Sequence, residues 1–102
     1  MPNFVILVKL TDEGRKTIDG SPARTQRGKR IMKKLGGKPV VLYYTMGAYD
    51  IVGVVEFPNN SAFMSFVLAA NSIGTAVITP LVAFPEKEIY GLIGKLASDK
   101  LV

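Results

Sequence analysis

The chain has 102 residues, 48% of them hydrophobic, with 13 Lys plus Arg against 8 Asp plus Glu. That length suits one domain over residues 1–102. A mean hydropathy of +0.26 excludes a disordered chain, and no apolar stretch reaches the roughly 18 residues of a membrane span. Cys and His are both absent, which removes disulfides, thiolate nucleophiles and the usual zinc, iron and copper ligands, so no metal is expected; any catalysis would need Asp, Glu, Tyr, Lys, Ser or Thr, or a cofactor, and no cofactor is expected.

Phe4-Val5-Ile6-Leu7-Val8-Lys9-Leu10 is a nearly continuous apolar run and reads as a strand buried on both faces. No basic segment precedes it and it ends within a few residues, so it is not a signal peptide and a cytoplasmic chain is expected. Thr11 and Asp12 are set to cap a helix that is interrupted at Asp19-Gly20-Ser21-Pro22. There Ser21 reads as a new N-cap and Pro22 as the first helical residue. The second helical piece runs to about Leu35 and stops at Gly36-Gly37. Val40 to Met46 reads as a second strand, and Gly47-Ala48 turns the chain into a third, Tyr49 to Phe57, completing a hairpin.

Pro58-Asn59-Asn60-Ser61 supplies turn and cap together, ahead of Phe63, Phe66, Val67 and Ala70 at helical spacing. Met32, Met46 and Met64 read as core filler. Thr75 to Phe84 forms a fourth strand whose internal Pro80 suits a sheet edge. Pro85-Glu86-Lys87-Glu88 opens a last helix with an apolar stripe of Ile89, Leu92, Ile93 and Leu96.

Strand, helix, strand, strand, helix, strand is the order of the α+β ferredoxin-like βαββαβ plait, here followed by an extra C-terminal helix. Right-handed crossovers give an antiparallel sheet in the order 4-1-3-2. Helices in a plait cover one sheet face and leave the other open. In the third strand Tyr49, Ile51, Gly53, Val55 and Phe57 fall on one face, and Asp50, Val52, Val54 and Glu56 on the other. The first strand splits Phe4, Ile6, Val8 and Leu10 from Val5 and Leu7. A sheet with one wet face shows polar residues at alternate positions, and this one mostly does not. Both faces therefore need cover, either from a second copy of the chain or in part from the C-terminal helix; a homodimer or higher homo-oligomer is the favoured expectation.

The segment Tyr44-Thr45-Met46-Gly47-Ala48-Tyr49-Asp50-Ile51-Val52 carries a G-x-Y-D turn. With the strand ending in Lys9-Leu10-Thr11, Gly14, Ser21-Pro22, Arg24, Leu35-Gly36-Gly37, Gly74 and Phe84 in this order, the chain resembles the GYD domain family over nearly its whole length. The resemblance implies the dimeric α/β-barrel form of the plait and brings no settled biochemical role. A more distant likeness is to the effector-binding domain of leucine-responsive and asparagine-type regulators. This chain shows no N-terminal helix-turn-helix, so it is similar only to their stand-alone form.

Gly47 supplies the freedom for positive φ in the turn, and Asp50 is placed to accept backbone N–H bonds from that turn. The rival reading gives Asp50 a ligand-binding or catalytic role at the open end of the barrel. Tyr43, Tyr44 and Tyr49, on adjacent strands, either pack or line a small-molecule pocket with Gly47 and Asp50.

Charge is uneven. Residues 15 to 38 hold nine cations and one acid, a net +8, leaving −3 for the remainder. Arg24, Arg27, Arg30 and Lys34 recur at helical spacing as one basic stripe, read as a solvated face or, as the rival, a binding surface for an acidic ligand, phosphate or nucleic acid. That stripe lies on a helix and the third strand has no basic residue before Gly47, which argues against RNA stacking on the sheet. Gly36-Gly37 precedes a strand and does not open a helix, so it is no phosphate loop. These features favour a non-catalytic homo-oligomeric module that binds a small ligand or has a regulatory role. The alternatives are a cofactor-free barrel enzyme, an isomerase or oxygenase on a small ring-containing substrate, and a scaffold whose basic helix docks an acidic partner.

Overall fold

The computed structural model describes residues Met1–Val102. Its elements in chain order are β1 (Asn3–Leu10), α1 (Asp12–Lys16), a 3-10 turn (Ile18–Gly20), α2 (Ser21–Lys34), β2 (Lys38–Tyr44), β3 (Ile51–Glu56), α3 (Asn60–Ser72), β4 (Ala76–Ala83) and α4 (Glu86–Ser98). The sheet is antiparallel in the order β2-β3-β1-β4, which read from the other edge is 4-1-3-2. Pro80 thus sits in an edge strand, where its missing N–H leaves no gap between two strands.

Caps set the helix starts. Thr11 accepts a side-chain hydrogen bond from the Gly14 N–H, and Asn59 accepts one from the Ala62 N–H. Ser21 corrects the capping expectation: it is the first residue of α2, and its hydroxyl turns inward to Tyr44 and caps nothing. Gly36 ends the α2 segment at φ +80°, a conformation that side chains resist.

The hairpin strands are shorter and set differently than the apolar run suggests. β2 is Lys38–Tyr44 rather than Val40 to Met46, and β3 starts at Ile51 rather than Tyr49. The six residues between them form an irregular loop, although Asp50 at its end still donates its N–H to the Val8 carbonyl and accepts the Thr45 N–H. Met46 is consequently fully exposed at 101%, and Met64 is also exposed, so only Met32 of the three methionines enters the core.

Register confirms the alternation. Phe4, Ile6 and Val8 pair with Val55, Gly53 and Ile51 on the face beneath α2 and α3. At one end of this face Phe4 stacks on Phe63 with ring centroids 4.1 Å apart, and Phe57 tilts against Phe63 and Phe66, each at 5.6 Å. Each such aromatic pair adds about 0.5–1.5 kcal/mol beyond burial.

The outer face carries Val5, Leu7, Val41, Tyr43, Val52, Val54, Val77 and Leu81, and no element of the chain covers it. α4 does not serve. It has no buried residue, packs substantially on no other element, and leaves Leu92 and Ile93 each 51% exposed. The result is an extended molecule with a radius of gyration of 16.2 Å, where about 13 Å is usual for 100 residues. Its accessible surface is 6760 Å², against roughly 5,600 Å² for a compact monomer of this mass. No helix is long and apolar enough to cross a membrane.

Candidate functional site

The Gly47–Asp50 segment is a latch between β1 and the hairpin loop. Gly47 takes φ +127°. The Asp50 Oδ2 accepts a hydrogen bond of 2.7 Å from the Leu10 N–H, and the Asp50 N–H donates to the Val8 carbonyl at 2.8 Å. The Thr45 N–H closes the loop onto the Asp50 carbonyl at 2.8 Å, and the Thr45 hydroxyl donates to the Tyr49 carbonyl at 2.6 Å. Asp50 is an acceptor for backbone, but across the sheet to β1 and not within its own turn.

The five residues singled out around the motif do not converge. Tyr43 and Tyr44 are successive strand residues and so point to opposite faces, Tyr43 outward and Tyr44 inward. Tyr49 stands in the loop, outside the strand that would have aligned it with them.

Tyr44 belongs to a different place. Between the sheet and the α2–α3 layer, next to the phenylalanine cluster and walled in part by Phe66, lies a half-open cavity of about 120 Å³. Its walls are mostly apolar, including Val8, Ile31, Leu42, Ile51 and Ile78, and one corner is polar. There Ser21, only 4% exposed, places its hydroxyl 2.5 Å from the Tyr44 hydroxyl, with the Thr25 Oγ1 3.4 Å from the same phenol.

Arg24 borders this corner and corrects the picture of a four-residue basic stripe. Its guanidinium donates to the Thr17 carbonyl at 3.0 Å, the Thr17 hydroxyl at 3.2 Å and the Gly14 carbonyl at 3.3 Å, satisfying carbonyls at the end of α1. Arg27, Arg30 and Lys34 are exposed and have no ion-pair partner. Each step of three residues falls about 60° short of a full turn. Arg24 therefore lies off the line of the other three, on the flank that faces the cavity.

No motif of the sequence places this cavity, although α2 carries a signal for it. Ser21, Thr25, Gly28 and Met32 follow one another at steps of four, three and four on one helix face, and a mid-helix glycine on a core-facing stripe leaves space. A Cβ on Gly28 would meet nothing within 4 Å. Away from both places, the Tyr90 hydroxyl donates to Glu86 one turn earlier in α4, and that carboxylate, with some desolvation, raises the phenol above its ordinary 10.0.

An α+β chain with a four-stranded antiparallel sheet, helices on one face and a latch built on a G-x-Y-D loop is a ferredoxin-like module of the GYD kind. The GYD domain family model matches residues 4–93, and the chain belongs to that family. It is also 30% identical over 90 residues to a Thermus thermophilus protein, the glutamine synthetase and cystathionine beta-lyase binding protein, with 87% of this chain and 95% of that protein covered.

Proposed function

We propose that the chain is a non-catalytic regulatory module that pairs through its sheet and docks on a partner enzyme. The observation that carries the pairing is the uncovered apolar face. The chain exposes about 1,150 Å² more than a compact monomer, from the sheet face and α4 together, which is enough for the roughly 800 Å² that one partner buries in a standard interface. A second copy laid sheet to sheet, in the dimeric α/β-barrel manner, covers Val5, Leu7, Val52 and Val54 and brings Tyr43 to the seam. The apolar stripe of α4, left exposed by its own chain, is free to extend that contact. Residues 1–102 act here as one domain.

Docking on an enzyme is supported by the Thermus relative, whose name states that it binds glutamine synthetase and cystathionine beta-lyase. The surface that suits such a role is the exposed Arg27, Arg30 and Lys34 face of α2, whose charges are unspent within the chain. The test is interferometry with this chain immobilised and the glutamine synthetase and cystathionine beta-lyase of the same organism in solution. Binding that weakens with salt and is lost in an Arg27→Glu/Arg30→Glu double variant supports the reading. Absence of binding by both enzymes at micromolar concentration overturns it for these partners.

A further inference from the structure

The polar corner of the α2–sheet cavity is chemically incomplete as it stands. Arg24 has five N–H donors, and its three hydrogen bonds all go to neutral oxygens, leaving two donors and a full positive charge without a carboxylate. No acidic residue lines the cavity. The hydroxyls of Ser21, Tyr44 and Thr25 carry three protons, and even if both of their mutual contacts form, one proton remains for another acceptor. A half-buried cation beside spare O–H donors, at the mouth of an apolar chamber, is complementary to an anion with an apolar body.

The size of the chamber narrows the class. An apolar cavity of about 150 Å³ holds benzene, so 120 Å³ takes a short branched chain, or a ring only with its edge and head group left at the half-open corner. Gly28 is the second, independent observation. A glycine in the interior of α2 costs about 1 kcal/mol relative to alanine, and no neighbour stands where its Cβ would be. The missing side chain enlarges the chamber and does nothing else visible in the packing.

We infer that this cavity binds a small apolar monocarboxylate, its carboxylate against Arg24 and the Ser21–Tyr44 hydroxyls and its apolar body against Gly28, Ile31 and Ile78. A free amino acid fits less well, because its ammonium finds no acid on these walls. The site lies on the opposite side of the sheet from the proposed dimer contact, so it stands independently of the function proposed above.

An NMR titration of the whole chain tests this, with benzoate and isovalerate as probes and benzamide and phenylalanine as controls. Benzoate or isovalerate at millimolar concentration is expected to shift the amides of Thr25, Gly28 and Thr75, with benzamide and phenylalanine at least about tenfold weaker. Gly28→Leu fills the chamber without displacing any atom near its Cβ, and is expected to keep the fold and lose the binding. Arg24→Gln also removes ties to α1, so its effect on binding is read beside Gly28→Leu. No shift of cavity residues with either carboxylate overturns the proposal. So does benzamide or phenylalanine binding as tightly as benzoate, or unchanged benzoate binding by a folded Gly28→Leu chain.

Discussion

The Asp50 carboxylate accepts the backbone N–H of Leu10 at 2.7 Å, tying the last turn of the hairpin loop to the end of a strand forty positions earlier. Leu10 is buried and ends β1, so this N–H has no other acceptor there. Replacing Asp50 with Ala leaves it unpaired, a loss of about 1–3 kcal/mol. Asp50→Asn keeps an acceptor oxygen and is expected to lose less. Urea denaturation of the two variants checks both the size and the order.

Two glycines make a contrasting pair. A Cβ on Gly14 would stand 2.0 Å from the Thr75 carbonyl oxygen, whereas one on Gly28 meets nothing. Gly14→Ala must push α1 away from the β4 entry and is expected to cost at least the about 1–3 kcal/mol of an overpacked core. Gly28→Ala gains helix propensity and is expected to stabilise the chain by about 0.5–1 kcal/mol. Thermal unfolding of the two variants should therefore move in opposite directions.

Such contrasts mark what the sequence makes legible. Element order, the inward set Phe4, Ile6 and Val8, and the edge position of Pro80 follow from period-two patterning and proline chemistry, which are local. That Asp50 accepts a backbone N–H is local chemistry as well, but which N–H it takes depends on how β1 and β3 are registered. The strand ends shift because Thr45 closes the loop on itself, its hydroxyl donating to the Tyr49 carbonyl, a contact no strand propensity of Tyr49 reveals. The Ser21–Tyr44 pair and the inward turn of Arg24 join α2 to β2 across the layer. No spacing within either segment reveals them, although Gly28 points at the empty space between.

Tyr90 offers a pH readout of α4. Its phenol is held above 10.0, chiefly by the hydrogen bond it donates to Glu86. The sign follows directly: the contribution of this bond to α4 is complete below pH 10 and fades as the pH rises through the raised value. Glu86→Gln removes the charge that opposes ionisation, and is expected to bring the Tyr90 titration down toward 10.0. The ring signals of Tyr90 in a pH series by NMR measure it.

A charge on the uncovered face should separate pairing from folding. Val52 pairs with Leu7 in the middle of the outer face and makes no part of the core beneath the helices. Val52→Lys is expected to leave the circular dichroism spectrum intact and to lower the assembled mass toward that of a single chain, because a buried, unpaired ammonium is not tolerated at a sheet-to-sheet seam.

In the proposed function a second copy of the chain covers this face. Sedimentation equilibrium of the unmodified chain at micromolar concentration measures it most directly. A mass of at least twice the 11.0 kDa chain is expected, falling toward the single-chain value for Val52→Lys. A stable species of 11.0 kDa for the unmodified chain contradicts it.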